Sequence, residues 1–442
     1  PDMALNNWER FTKAIPDIKE HYETMLSQPT RLKILLGIFS GSQFLADTLI
    51  KNPEFLDWVT HPENLHKKRT TEAMIKELRE KAHTCSSHLE WLDTLRRFRR
   101  RELLRIGTRD ICLHVSTCDV ITDLSTLAIA ITQVALEKIW TRLIHKKNLP
   151  CANELKQGFC ILAFGKLGGN ELNYSSDIDL VGIYDDSDLK SGVSDFVYED
   201  VFTEVMECLI GDLSRHTKEG YAYRVDVRLR PYGSSGQLVH SVNGLLRYYK
   251  NSGSLWEIQA LLKLRPIAGN LEVGRRFLEL IRPILLQQFD KKELINSIER
   301  MRNLSIKRSS IKGAVDVKSG IGGIRDIEFL VQGLQLIHAH RFPQLLEPNT
   351  INALLTLKHF NILPDTVVDN LISDYIFLRR VEHFLQILED RQIHTIPKHT
   401  QELSALAKRI LGVKASPQEF LDRVNSCLLR VRQAYNTYLI GN

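Results

Sequence analysis

Two short apolar runs, FCILAFG (159–165) and IDLVGIY (178–184), interrupt a chain that otherwise reads as helix after helix. Runs this short, bounded by glycine and by acids, have strand character, and they constrain the fold more than anything else in the sequence. The loop between them contains Gly165, Lys166, Gly168 and Gly169 and ends in Ser176-Asp177-Ile178-Asp179. On a strand, residues i and i+2 share a face, so Asp177 and Asp179 project together. Ile178 and Leu180 then point into the core and fix the register.

Two carboxylates on one face repel, which raises proton affinity unless a cation lies between them. Mg²⁺ suits such a pair, because it takes oxygen ligands and keeps positions for water and phosphate. A third acid on a neighbouring strand would complete a two-metal site. The segment YAYRVDVRLRP (221–231) alternates, with Val225, Val227 and Leu229 on one face and Arg224, Asp226, Arg228 and Arg230 on the other. Pro231 is expected to stop that strand. The predicted catalytic and metal-holding set is therefore Asp177, Asp179 and Asp226. Gly165, Gly168 and Gly169 would bring backbone N–H groups to a phosphate, with Lys166 as a point charge. Ser176, Arg228 and Arg230 complete the predicted nucleotide- and phosphate-binding set. Asp-x-Asp alone is more often a solvated turn; the combination of strand, glycine loop and later acid points to metal-dependent phosphate chemistry.

At 442 residues the chain is too long for one core. The texture predicts an α+β protein: a helical region over 1–150, a catalytic core over 151–270, and helices over 271–442. Long helices are expected at 271–311, 324–340, 365–392 and 416–438. The net charge of +6 is too mild to imply nucleic acid. No apolar run is expected to span a membrane, and the charged N-terminus lacks a signal-peptide core. The seven cysteines form no Cys-x-x-Cys pair, which fits a reducing cytoplasm and argues against a zinc knuckle or disulfide framework.

The arginines at 96, 97, 99, 100, 101, 105 and 109 spread around a helix, and with Glu102 and Asp110 nearby they read first as ion-paired. Docking of an acidic protein surface is the second reading. His338 and His340 do not share a helix face, and His383 and His394 read as packing or hydrogen-bonding residues. GIGGIRDIEFLVQ lacks the phosphate-loop spacing and reads as a turn opening a helix near 324, with Arg325 and Glu328 near the site. Trp256 and Glu257 read as helix-packing and polar-network residues.

The glycine loop, Ser-Asp-x-Asp and later Asp resemble the nucleotidyltransferase superfamily that includes DNA polymerase β. FGKLGGNELNYSSDIDL, YRVDVRLRPYGSSGQLV, WEIQALLKLRPIAG, GIGGIRDIEFLVQ and LRRVEHFLQILEDRQIHTIP resemble, in order, the blocks of the bifunctional glutamine synthetase adenylyltransferase/adenylyl-removing family. LRRFRRRELLRIGTRD is similar to the family's N-terminal helical region. The resemblance covers roughly residues 30 to 400. It implies a polymerase-β-like nucleotidyltransferase core flanked by helical regions. ELNYSSDIDL and RLRPYG look like the first, deadenylylating domain of that family, whose second domain reads closer to ELGYGSDLDL and RLRPSG.

The activity so implied is phosphorolysis of adenylylated glutamine synthetase, with Mg²⁺, inorganic phosphate and ADP. The resemblance also implies control by the PII signalling protein and glutamine. Two positions depart from the wider patterns. Lys166 replaces the superfamily's small residue, a change this family shares. The segment Gly233-Ser234-Ser235-Gly236 lacks an Asp that family members often carry there.

Overall fold

The computed structural model describes residues 2–149, 152–187, 195–309 and 315–441. The expected boundary at 150/151, Cys151 and the predicted end of the 271–311 helix lie outside the described residues.

The fold is α+β, with a small mixed sheet set among many helices. β1 (Phe159–Phe164) and β2 (Ile178–Tyr184) form its antiparallel centre, pairing Phe164 with Asp179 and Phe159 with Tyr184. β5 (Arg265–Gly269) lies antiparallel on the other side of β1. β3 (Val225–Asp226) and β4 (Val239–Ser241) both run parallel to β2. Every residue of β1 is buried, as expected of a strand covered on both faces.

Aromatic side chains fasten the sheet to its helices. Phe159 stacks on Phe202 with centroids 5.2 Å apart, and Tyr184 stacks on the same ring at 4.9 Å. Trp140 meets Phe159 edge-on at 6.0 Å. Phe202 belongs to the Asp195–Ser214 helix and Trp140 to the Thr117–Lys147 helix, so one aromatic cluster joins two helices to β1 and β2. The Thr117–Lys147 helix is, contrary to expectation, long and apolar enough to cross a bilayer; most of its apolar window is buried inside the protein.

The arginine helix, His88–Leu113, is largely buried, and each of its seven arginines has a partner. Glu102 receives Arg69, Arg101 and Arg105, while Asp123 receives Arg109 at 3.1 Å. Arg96 donates to the carbonyls of Asp212, Arg215 and Gly220. It thereby caps the C-terminal end of the Asp195–Ser214 helix, where unpaired carbonyls carry partial negative charge. Arg99 lies over the rings of Tyr221 and Tyr223, directly before β3. The helix thus braces the segment that leads into Asp226.

Several expected elements differ in extent. The alternating strand over 221–231 shrinks to Val225–Asp226, because residues 227–236 turn around the Arg230 guanidinium. The long helix expected from 271 is two, Leu271–Leu285 and Lys291–Ser309, broken after Pro283. The later helices are Ile324–His338, Asp365–Ile387 and Pro417–Tyr435. Thr350–His359 and Thr400–Leu411 add two that periodicity did not single out.

Candidate active site

Around the start of β2, burial alternates: Ile178 and Leu180 are buried, whereas Asp177 and Asp179 are only partly covered. Both acids therefore lie on the open face. The parallel register pairs Asp179 with Asp226 on β3, so three carboxylates gather along one edge.

Their electrostatic states differ. Arg224 Nε donates to Asp177 Oδ1 at 2.6 Å. Arg228 grips Asp226 through Nε, at 3.0 Å from each oxygen, and through Nη2 at 2.5 Å. Burial pushes the Asp226 carboxyl up, but those bonds hold it below its ordinary range. Asp179 is pushed up to about 7, first by burial and then by the charges of Asp226 and Asp177.

Among the described residues, no three His, Cys, Asp or Glu side chains converge closely enough to hold a metal ion as they stand. The donor chemistry nevertheless fits a hard divalent cation. A partly covered carboxylate crowded by two like charges holds its proton more tightly unless positive charge replaces it.

The glycines divide into two kinds. Gly165 adopts φ +57°, and a Cβ there would lie 2.7 Å from Asp179 Oδ2, so backbone passes directly against the carboxylate. Gly168 and Gly169 do not line the open face. A Cβ on Gly168 would overlap the Lys263 carbonyl, and the Gly169 N–H donates to Gly165 O at 3.0 Å. Both positions are closely packed, and the Gly169 N–H is already spent within the loop. Arg230 likewise spends its guanidinium on the carbonyls of Val227, Ser234 and Gly236. Arg228 remains mostly exposed beyond Asp226, and Ser176 holds a buried hydroxyl with no hydrogen-bond partner among the described residues.

Beneath the loop the expected Lys166 joins a buried polar network, most of whose members the sequence did not mark as site residues. Lys166 Nζ lies 3.3 Å from both oxygens of Glu382, a fully buried residue of the Asp365–Ile387 helix. Burial pushes the Lys166 ammonium down to about 7, against the raising effect of Glu382. Glu382 also accepts from Asn173, and its oxygen Oε1 lies 3.1 Å from His394 Nδ1. Arg379 donates to Asn173 and to the Glu171 carbonyl, while Lys263 pairs with Glu171 and lies 3.8 Å from Glu328. His383, held neutral by burial and pushed down to about 3, is 3.1 Å from Asn173 Oδ1. Apart from Lys166 and His394, these residues lie inside the sequence blocks ELNYS, KLRPIAG, RDIEF and LRRVEHFLQ. The spacing of Arg379 and Glu382 at i, i+3 was the one local signal that they cooperate.

Glu328 faces this network, whereas Arg325 turns to the Ser305 hydroxyl. Glu257 closes a capping box with Ser254 and accepts from the Tyr248 hydroxyl at 2.7 Å.

Residues 32–280 match the glutamate-ammonia ligase adenylyltransferase family, and residues 291–439 match the GlnD PII-uridylyltransferase family. Three curated relatives carry the name bifunctional glutamine synthetase adenylyltransferase/adenylyl-removing enzyme. That of Shewanella loihica is 32% identical over 99% of the chain, and that of Nitrosococcus oceani 35% over 91%. That of Pseudomonas aeruginosa is 33% identical over 83%. The chain spans 45%, 42% and 38% of their respective lengths, less than half of each.

Proposed function

The chain belongs to the glutamate-ammonia ligase adenylyltransferase family, and from that premise we propose that it removes AMP from the adenylylated tyrosine of glutamine synthetase by phosphorolysis. The observation that carries the reading is the placement of Asp179 beside Asp226, with Asp177 on the same face and the Gly165 backbone against Asp179. Resemblance of ELNYSSDIDL and RLRPYG to the deadenylylating domain supports the direction. In this reading residues 151–270 form a polymerase-β-like core between helical regions 1–150 and 271–442.

Asp177, Asp179 and Asp226 would hold Mg²⁺, which when bound neutralises phosphate oxygens and favours departure of the tyrosine oxygen. Arg224 and Arg228 orient two of these carboxylates through hydrogen bonds, and Arg228 also holds Asp226 below its ordinary range. Lys166 presents positive charge beside the Gly165 turn, where an attacking phosphate needs it. Inorganic phosphate attacks the AMP phosphorus, the bond to the tyrosine oxygen breaks, and ADP leaves. The match of residues 291–439 to the GlnD PII-uridylyltransferase family supports control by PII, and the family resemblance implies glutamine as a second regulator. Among the described residues six cysteines are free thiols, which supports a cytoplasmic setting.

The test incubates the protein with adenylylated glutamine synthetase, Mg²⁺ and phosphate. ADP should form only when phosphate is present, and labelled ATP should leave unmodified synthetase unlabelled. Label transfer from ATP without phosphate-dependent ADP would assign the opposite, adenylylating activity.

A further inference from the structure

We propose that Lys318, contributed by the C-terminal helical region, pairs with Lys166 to form the pocket for a phosphate oxyanion beside the carboxylate edge. The proposal rests on the phosphorolysis reading for the identity of that anion, which is inorganic phosphate there and a nucleotide triphosphate under the reverse activity.

The two ammonium groups reach one buried carboxylate from different parts of the chain. Lys318 Nζ lies 3.5 Å from Glu382 Oε1, and Lys166 Nζ 3.3 Å from the same atom. His394 joins them: its Nδ1 is 3.1 Å from Glu382 Oε1 and its Nε2 is 3.5 Å from Lys318 Nζ. The tautomer protonated on Nδ1 donates to Glu382 and accepts from Lys318, satisfying both contacts.

The Lys318 backbone is fixed as well. Its N–H donates to Asp316 Oδ1 at 2.8 Å, its carbonyl accepts from Arg325 N at 3.0 Å, and Val317 N donates to His394 O at 3.0 Å. Lys166 directly follows Gly165, whose backbone lies against Asp179, and the Lys318 charge opposes the upward push on that same carboxyl.

An ammonium has three donors. Glu382 is the side-chain acceptor recorded for Lys166, and Lys318 adds His394 to it, so both retain donors. Glu382 and His394 are thus positioning residues: they gather two cations that would otherwise repel. A tetrahedral oxyanion placed between that pair and the carboxylate edge would accept from both lysines while presenting its remaining oxygens to a cation held there.

The experiment titrates the protein, with Mg²⁺ present, with inorganic phosphate and separately with ATP, following each by ³¹P NMR. Lys318→Ala is expected to weaken anion binding at least about tenfold. Lys318→Arg should retain most of the binding, and Lys318→Gln serves if the alanine variant does not fold. In turnover, KM for phosphate should rise more than kcat falls, with KM for adenylylated synthetase unchanged. Loss confined to phosphate supports the pocket as a phosphate site; loss confined to ATP keeps the oxyanion pocket and overturns the phosphorolysis reading. Unchanged binding of both anions by a folded Lys318→Ala protein, or no binding of either by the parent protein, overturns the pocket. Intact lysine-dependent phosphate binding without any AMP removal overturns the activity alone.

Discussion

On the arginine helix a buried carboxylate, Glu102, meets three guanidinium groups; at the β2–β3 edge a half-buried carboxylate, Asp179, meets two further acids. Both regions place charge inside the protein, with opposite consequences. Glu77, which accepts from Arg69 and Arg101 beside Glu102, is pushed up by burial, yet the two arginines hold it down to about 2. Asp179 is pushed up to about 7. Pairing of opposite charges makes a brace, while crowding of like charges makes a site that favours a cation. The difference separates a structural charge cluster from a chemical one without reference to any relative.

Breaking the brace should have the largest effect. Glu102→Ala leaves Arg69, Arg101 and Arg105 short of a buried partner, and a loss of about 3–5 kcal/mol in unfolding free energy is expected. Denaturant unfolding measures it. Activity of the remaining folded protein should stay near normal, and a fall in kcat at full stability would mean that the helix shapes the site directly.

Removing one acid from the crowded edge should do the reverse. Asp179→Asn is expected to lower turnover at least about 10²-fold, the scale of losing one preorganised electrostatic contact. It should cost no stability. Because the folded-state pKa is raised, ionised Asp179 opposes folding, and that opposition grows as pH rises from the ordinary carboxylate range to about 7. Without Mg²⁺, the melting temperature of Asp179→Asn relative to the parent protein should therefore rise between pH 5 and pH 8. A variant that melts lower at pH 8, or turns over normally, would break the contrast.

The smallest effect belongs to Arg97 and Arg100. Arg97 pairs with Glu54 at 2.8 Å with both side chains well exposed, and half-buried Arg100 stands 3.8 Å from buried Glu219, which keeps Lys51 at 2.8 Å. Replacing Arg97 and Arg100 by alanine should cost about 0–1 kcal/mol per pair and leave KM unchanged, if both only brace the fold. A salt-sensitive rise in KM for glutamine synthetase would instead identify a docking surface.

Much of the candidate edge was legible because its signals are local. Two apolar runs and a two-residue spacing put Asp177 and Asp179 on one face, and the turn before 324 was readable from glycines around a helix start. The alternating 221–231 run misled for a tertiary reason: Arg230 found three backbone carbonyls and drew the chain into a turn. At Gly168 the lack of a side chain accommodates the Lys263 carbonyl, a close approach that no local pattern announces.

The sequence by itself determined which residues alternate, where helices begin, and that two acids share a face, because backbone geometry repeats over two to four residues. Only the tertiary structure decided which charges are spent. Lys166 and Glu382 stand 216 positions apart, and Arg379 and Asn173 206. Whether an arginine becomes a brace, a clamp on a catalytic acid or a free surface charge depends on the partner that folding delivers, and no periodicity encodes that partner.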